Sequence, residues 1–300
     1  MSEIIRNRSE LLFCYDVTDA NPNGDPLDEN KPRIDEETNV NFVTDVRLKR
    51  TIRDYLFEYK GFNGENRKDI FVHSKFIKDG DKESGLQDGK LRAKDFEENK
   101  DEILDVCIDI RLFGGVLPLS GDSITFTGPT QFKMGRSLHK VEIKHIQGTG
   151  AFAGKAGAKQ NTFREEYILP YSFIAFHGIV NQNAAKHTKM KDEDLNLLLE
   201  GMWHGTKNLI SRSKFGQQPR LLIKINYNKP NFFIGDLDKK IKLIDFDNEL
   251  KIRSIKDFSV DLSELLAAIK ENIKHIESVE YIADNGLKIY IPAEWKKLNL

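Results

Sequence analysis

Thr44-Asp45-Val46-Arg47-Leu48-Lys49-Arg50-Thr51-Ile52-Arg53 carries a helix start and a charge pattern in one short stretch. Thr44 is a good N-cap and Asp45 a first-turn acid, while Leu48, Ile52, Tyr55, Leu56 and Tyr59 recur at helical spacing. The segment is an amphipathic helix. Lys49, Arg50 and Arg53 spread over the side away from that apolar stripe, and the free N–H groups of the first turn face the preceding loop. Such an arrangement suits phosphate.

Working outward, residues 11–17 (Leu-Leu-Phe-Cys-Tyr-Asp-Val) read as a strand that ends in the turn-rich Asn21-Pro22-Asn23-Gly24-Asp25-Pro26. Asp69 to Phe76 reads as a second strand and Gly80 to Gly89 as an exposed loop. Ile103, Val106, Cys107, Ile110 and Phe113 predict a second helix closed by Gly114-Gly115. Strands follow at 123–132, interrupted by Gly128-Pro129, at 141–147 and at 167–180. A third helix from Asp192 (Leu195, Leu198, Leu199, Met202, Leu209), a strand at 221–227, a fourth helix from Asp261 and a hairpin turning at Asp284-Asn285-Gly286 complete the chain. The order is that of an α+β, ferredoxin-like (RRM-like) βαββαβ unit enlarged by insertions, with an antiparallel sheet rather than a doubly wound one. Residues 148–163 break the pattern, because their four Gly and four Ala cannot build a core element. They are expected to project or wrap.

The 300 residues fit one large domain, and 39% hydrophobic with 31% charged residues places the chain among globular proteins. No apolar run is long enough to span a membrane and the first residues lack a signal peptide, so the expected location is cytoplasmic, away from membranes. Cys14 and Cys107 lie far apart in apolar runs and are expected as packed thiols. The net charge of −1 hides segregation: residues 131–164 carry seven bases and one acid, and residues 201–235 carry six bases and no acid. A surface that replaces phosphate counterions needs such acid-poor segments.

Motifs for catalysis are absent. Gly148-Thr-Gly150-Ala-Phe-Ala153 satisfies a loose dinucleotide pattern, but the residues after it have no helical apolar stripe. A Walker A loop fails on spacing, and Ala156 offers no hydroxyl after Lys155. The seven His residues show no pair at metal-ligand spacing, and no nucleophile elbow or acid/base pair stands out. The expectation is a protein without catalytic residues, metal or cofactor.

Five motifs in sequence, Asn21–Pro26, Val43–Asp54, Asp109–Gly115, Thr127–Phe132 with Gly135–His139, and Ser211–Leu222, resemble the repeating backbone subunit of type I CRISPR interference complexes (Cascade), the "Cas seven" superfamily, most nearly its type I-B branch. The resemblance spans residues 10 to 228. It implies one RRM-like palm over residues 1–300, a fingers insertion within about 60–125 and a thumb loop at about 147–166. It also implies a non-catalytic subunit that polymerises along a CRISPR guide RNA, beside further copies of itself and the repeat-handle-binding, large and small Cascade subunits, and presents the guide to a target DNA strand.

The RNA contacts implied are Thr44, Arg47, Lys49, Arg50 and Arg53 on the helix, Gln131, Lys133, Arg136, Ser137 and His139, Phe152, Lys155, Lys159, Phe163 and Arg164 in and beside the thumb, and Ser211, Arg212, Ser213 and Lys214. Guide recognition independent of spacer sequence calls for phosphate and 2′-OH contacts, and Phe152 or Phe163 is suited to wedge at a displaced base. Related type III subunits cleave target RNA with a loop Asp, for which Asp25, Asp28 and Asp35 are the positions to weigh, although a loop Asp commonly serves a turn. A stand-alone RRM module is disfavoured because its signature motif is missing.

Overall fold

The computed structural model describes residues 3–79, 82–119, 122–149 and 163–300. Its centre is the strand Ser9–Ala20, which pairs antiparallel with Phe163–Val180 on one side and Gln217–Tyr227 on the other. Gly135–Lys140 continues the sheet beyond Phe163–Val180, and Ile276–Ala283 continues it beyond Gln217–Tyr227. With the shorter strands the described sheet has ten members and is mixed, because Lys296–Lys297 joins Ile276–Ala283 in parallel.

Both faces of the central strands are covered, which is why residues 11–17 read as a continuous apolar run rather than an alternating one. Leu11, Phe13, Tyr15 and Val17 point to the core shared with the helices Asp45–Lys60 and Asp192–Lys207. Leu12 and Cys14 point to the opposite core, built with Phe173, Ile223, Phe258, Leu265 and Trp295. A third cluster, including Phe71, Phe96, Ile103, Cys107 and Leu117, stands apart from both. Cys14 and Cys107 are free and buried, and burial pushes both thiols up, out of reach of ordinary thiolate chemistry.

Several local expectations need correction. Residues 69–75 are not a strand. The amides of Phe71 and Val72 donate to the buried Asp109 carboxylate at 2.7 and 3.0 Å, so side-chain bonds replace ladder bonds there. Phe76–Asp79 does pair, with Lys82–Leu86, so the expected exposed loop is in part a hairpin arm, followed by the helix Gly89–Lys94. The single helix expected through 103–113 is two, Lys100–Val106 and Ile108–Phe113, separated by Cys107 in extended conformation. The expected strand at 141–147 is instead Gly135–Lys140 and Lys144–Thr149. Asp284 does make a turn, accepting from the Gly286 N–H at 2.8 Å, but Ile289 bridges Val260 and no terminal hairpin forms.

Candidate nucleic-acid interface

Thr44 caps the basic helix as its sequence suggests: its extended backbone precedes Asp45, and its hydroxyl accepts from the Arg47 N–H at 3.2 Å. The Asn23 carboxamide oxygen in turn accepts from the Thr44 N–H and hydroxyl, at 2.9 and 3.0 Å. The turn-rich loop is thereby fixed against the helix start.

The basic side chains of this helix, expected to suit phosphate, are largely held by acids and polar groups of the chain itself. Lys49 reaches Asp45 at 2.9 Å and the Gln131 side-chain oxygen at 3.1 Å, and Arg50 pairs with Asp54 at 2.6 Å. Arg53 donates to Asp109 at 2.9 Å, with side-chain exposures of 11% and 0%. Lys49 and Arg53 also lie over the Phe113 ring, 5.7 and 5.1 Å from its centroid. Phe113 is held there by a close backbone approach: Gly114 has φ +68°, and a Cβ on Gly128 would meet the Phe113 carbonyl carbon at 1.9 Å. Tyr59, placed in the apolar stripe by spacing, is exposed and stacks on Tyr55 instead.

The same pairing recurs in the acid-poor segments. Lys133 contacts Asp236 and lies 3.6 Å from Asp238, and Arg136 reaches Asp35 at 3.3 Å. Arg164 and Arg212 converge on Glu166, at 2.5 and 2.7 Å. Folding brings acids from elsewhere onto these segments, so the segregation along the sequence is largely compensated in space.

Ser137 and His139 are corrected as exposed contacts, because both are buried and committed to internal bonds. The Ser137 hydroxyl donates to the His139 carbonyl at 2.7 Å and accepts from the Asn41 N–H at 2.9 Å. The His139 Nε2 accepts from the Phe173 N–H at 3.2 Å and its Nδ1 faces the Lys140 carbonyl at 2.9 Å, while burial lowers its pKa, so the ring is a neutral structural element. Phe152, Lys155 and Lys159, with most of the expected thumb, lie outside the described residues; Phe163 starts its strand in register with Thr149.

Arg47 and Lys214 stand out. Lys214 donates to the Asn21 carbonyl at 2.6 Å and Arg47 to the Thr51 hydroxyl at 2.9 Å, yet neither forms a salt bridge among the described residues. The Arg47 Nε is buried without a hydrogen-bond partner. Burial, then the Arg47 charge, lowers the Lys214 pKa to about 8, and burial likewise lowers Arg47. Two like charges held together, neither in a salt bridge among the described residues, make a site for an anion. Beside it, the Ser213 carbonyl accepts from the Asn21 N–H at 2.9 Å, and a cleft of about 340 Å³ gathers Asn21, Glu29, Arg164, Tyr167, Arg212 and Ser213. Ser211 is exposed at the rim of the same turn, where its carbonyl accepts from the Lys214 and Phe215 N–H groups.

Asp109 was missed as the partner of Arg53. Its signal was a carboxylate inside the apolar run Cys107-Ile-Asp-Ile-Arg-Leu-Phe113, where only a buried, paired acid fits. The loop acids Asp25, Asp28 and Asp35 are each ion-paired, with Arg33, Lys31 and Arg136.

This α+β architecture is shared with chains of two solved CRISPR RNA-guided surveillance complexes, one of them in a pre-nicking state. They match at TM-scores of 0.59 and 0.58 and 12% identity over 98% of this chain and 96% and 95% of theirs. The family model for CRISPR-associated protein Cas7 matches residues 7–263, and a Haloferax volcanii CRISPR-associated protein Cas7 is 32% identical, covering 96% of this chain and 90% of that protein. The chain belongs to the CRISPR-associated protein Cas7 family. No helix among its described residues is long and apolar enough to cross a membrane.

Proposed function

We propose that this chain is a non-catalytic backbone subunit that binds CRISPR guide RNA in a type I, I-B-like, Cascade complex and presents it for pairing with target DNA. The observation that carries the reading is the Arg47 and Lys214 pair, two partly buried cations without a carboxylate partner at the start of the basic helix. One phosphate there relieves their mutual repulsion and gives charge-assisted bonds independent of base identity. Arg164 and Arg212 extend the track along the neighbouring cleft, exchanging Glu166 for phosphates, and Lys49, Arg50, Lys133 and Arg136 line its continuation. Because each of these must leave an acid, they contribute less than Arg47 and Lys214.

The strand order Gln217–Tyr227, Ser9–Ala20, Phe163–Val180, Gly135–Lys140, with both long helices packed in one core, supports reading the centre as an RRM-like palm. The separate cluster around Phe71 and Ile103 supports a fingers insertion within about 60–125. The segment between Lys144–Thr149 and Phe163–Val180 is then the thumb, with Phe152, Lys155, Lys159 and Phe163 on the guide. Copies of the chain and other Cascade subunits complete the filament, in the cytoplasm.

The type III-like alternative is answered by the same assay that tests RNA binding. Mixed with a guide RNA and its complementary RNA in Mg²⁺ or Mn²⁺, the protein is expected to retard the guide on a gel and leave the complement intact. No retardation would remove the RNA reading, and regularly spaced cleavage abolished by Asp25→Ala, Asp28→Ala or Asp35→Ala would make the chain a nuclease.

A further inference from the structure

We propose that His177, Asp236 and Asp238 form a site for one divalent transition-metal ion of the zinc class. The three come from distant parts of the chain, the strand Phe163–Val180 and the segment around the short helix Leu237–Lys239, and their ligand atoms all lie within 4.8 Å of one another. No sequence spacing announces them, since two helices and a strand separate His177 from Asp236.

His177 is only 6% exposed, and its Nδ1 is buried with no hydrogen-bond partner. That nitrogen points at the Asp238 Oδ1, 3.8 Å away, which is buried and without a hydrogen bond, its cation being the Lys133 Nζ at 3.6 Å. A distance of 3.8 Å is too long for a hydrogen bond, and a buried imidazole nitrogen left without a partner in front of a carboxylate oxygen calls for a cation that both can hold. The ring is oriented from behind. Its Nε2 lies 2.7 Å from the Glu10 carboxylate, on which the Tyr227 hydroxyl and the Ile234 and Gly235 N–H groups, the last two at 2.8 and 2.9 Å, already converge. Glu10 therefore acts as an acceptor, the ring proton belongs on Nε2, and Nδ1 presents a lone pair toward Asp238. A carboxylate behind an imidazole that offers its other nitrogen is the arrangement that orients His in metal sites.

The donor set is one His nitrogen and two carboxylates, which with water completes a tetrahedral zinc shell. Bond lengths of about 2.0 Å put tetrahedral ligand atoms about 3.3 Å apart, so His177 and Asp238 must close by about 0.5 Å and the widest pair by up to about 1.5 Å. Asp236 is exposed and can rotate to do so. At present the Lys133 ammonium holds Asp236 and lies near Asp238, so the site already gathers positive charge. The metal would take its place, releasing Lys133 to solvent.

The test titrates the full chain, freed of RNA and metal with a chelator, with Co²⁺ followed by visible absorption and with Zn²⁺ in competition with a chromophoric chelator. One ion per chain is expected, with affinity at least tenfold lower in His177→Gln and in Asp238→Asn and higher in Lys133→Met. If His177→Gln does not fold, Asp236→Asn and the isosteric Asp238→Asn decide the matter, since Asp236 is exposed and Asp238 partly so. Absence of binding, or affinity unchanged in the carboxylate variants, would overturn the site and leave Lys133 as its resident cation.

Discussion

Asp109→Ala is expected to lower the unfolding free energy by about 3–5 kcal/mol, the cost of breaking a buried ion pair from one side. The carboxylate is fully buried and accepts from Arg53 at 2.9 Å and from the Phe71 and Val72 N–H groups at 2.7 and 3.0 Å. Its removal strands a guanidinium and two backbone donors at once. Arg53→Met should cost less, about 1–3 kcal/mol, because the carboxylate keeps both amides. The double variant Arg53→Met with Asp109→Leu should recover part of the loss, since an apolar pair leaves no uncompensated charge. Urea unfolding of the RNA-free chain with an unchanged slope measures all three. A cost within about 0.5 kcal/mol for Asp109→Ala, the range of ordinary surface changes, would show that the pair does not hold the helix against the 69–72 segment. The same geometry makes Arg53 a structural residue first and an RNA contact second.

Arg47→Ala combined with Lys214→Ala is expected to weaken guide RNA binding roughly 100-fold or more, because each charge-assisted bond contributes about 1.5–3 kcal/mol. The loss should be equal for guides of unrelated sequence, and the dependence of log affinity on log salt should fall by about 0.7, that of one single-strand phosphate contact. Lys214 adds a pH signature. In the free chain it loses its proton as pH rises through about 8, whereas a bound phosphate keeps it charged. Binding then takes up a proton, so log affinity falls above about pH 8 with a slope approaching one per pH unit. Lys214→Arg should abolish that slope. The sign for folding is opposite: between about 8 and the ordinary value of 10.5 the unfolded lysine holds a proton that the folded one does not, so the RNA-free chain gains stability as pH rises across that window. Filter binding at several salt and pH values tests these statements. Unchanged affinity in the double variant would remove the helix start from the RNA path.

The parts of this molecule that were legible in its sequence are those settled by neighbours in the chain. Thr44 and the Leu48, Ile52 and Tyr55 spacing predict the helix Asp45–Lys60, because a cap bond and an apolar stripe are local properties. The long apolar stretch of residues 167–180 likewise reads as a strand and lies within Phe163–Val180. The family resemblance could be drawn because five short motifs keep their order. What stayed hidden was decided across long separations. Arg53 finds Asp109 over 56 residues, Lys133 finds Asp236 over 103, and Arg212 finds Glu166 over 46. Counting charges along residues 131–164 and 201–235 therefore overstated the bare positive surface, and it missed that Lys214 meets Arg47, which lies outside both segments. Ser137 and His139 misled for a similar reason: a polar residue in a basic segment looks exposed until the strand Gly135–Lys140 turns alternate residues inward.

The central claim, that the chain is built to coat a guide, is tested most directly by isolating it from its own host under native conditions and sizing the nucleic acid that comes with it. The account predicts RNA of one uniform length, about one CRISPR repeat plus one spacer, with several protein copies on each molecule. A monomer free of nucleic acid, or one carrying RNA of random length, would contradict it.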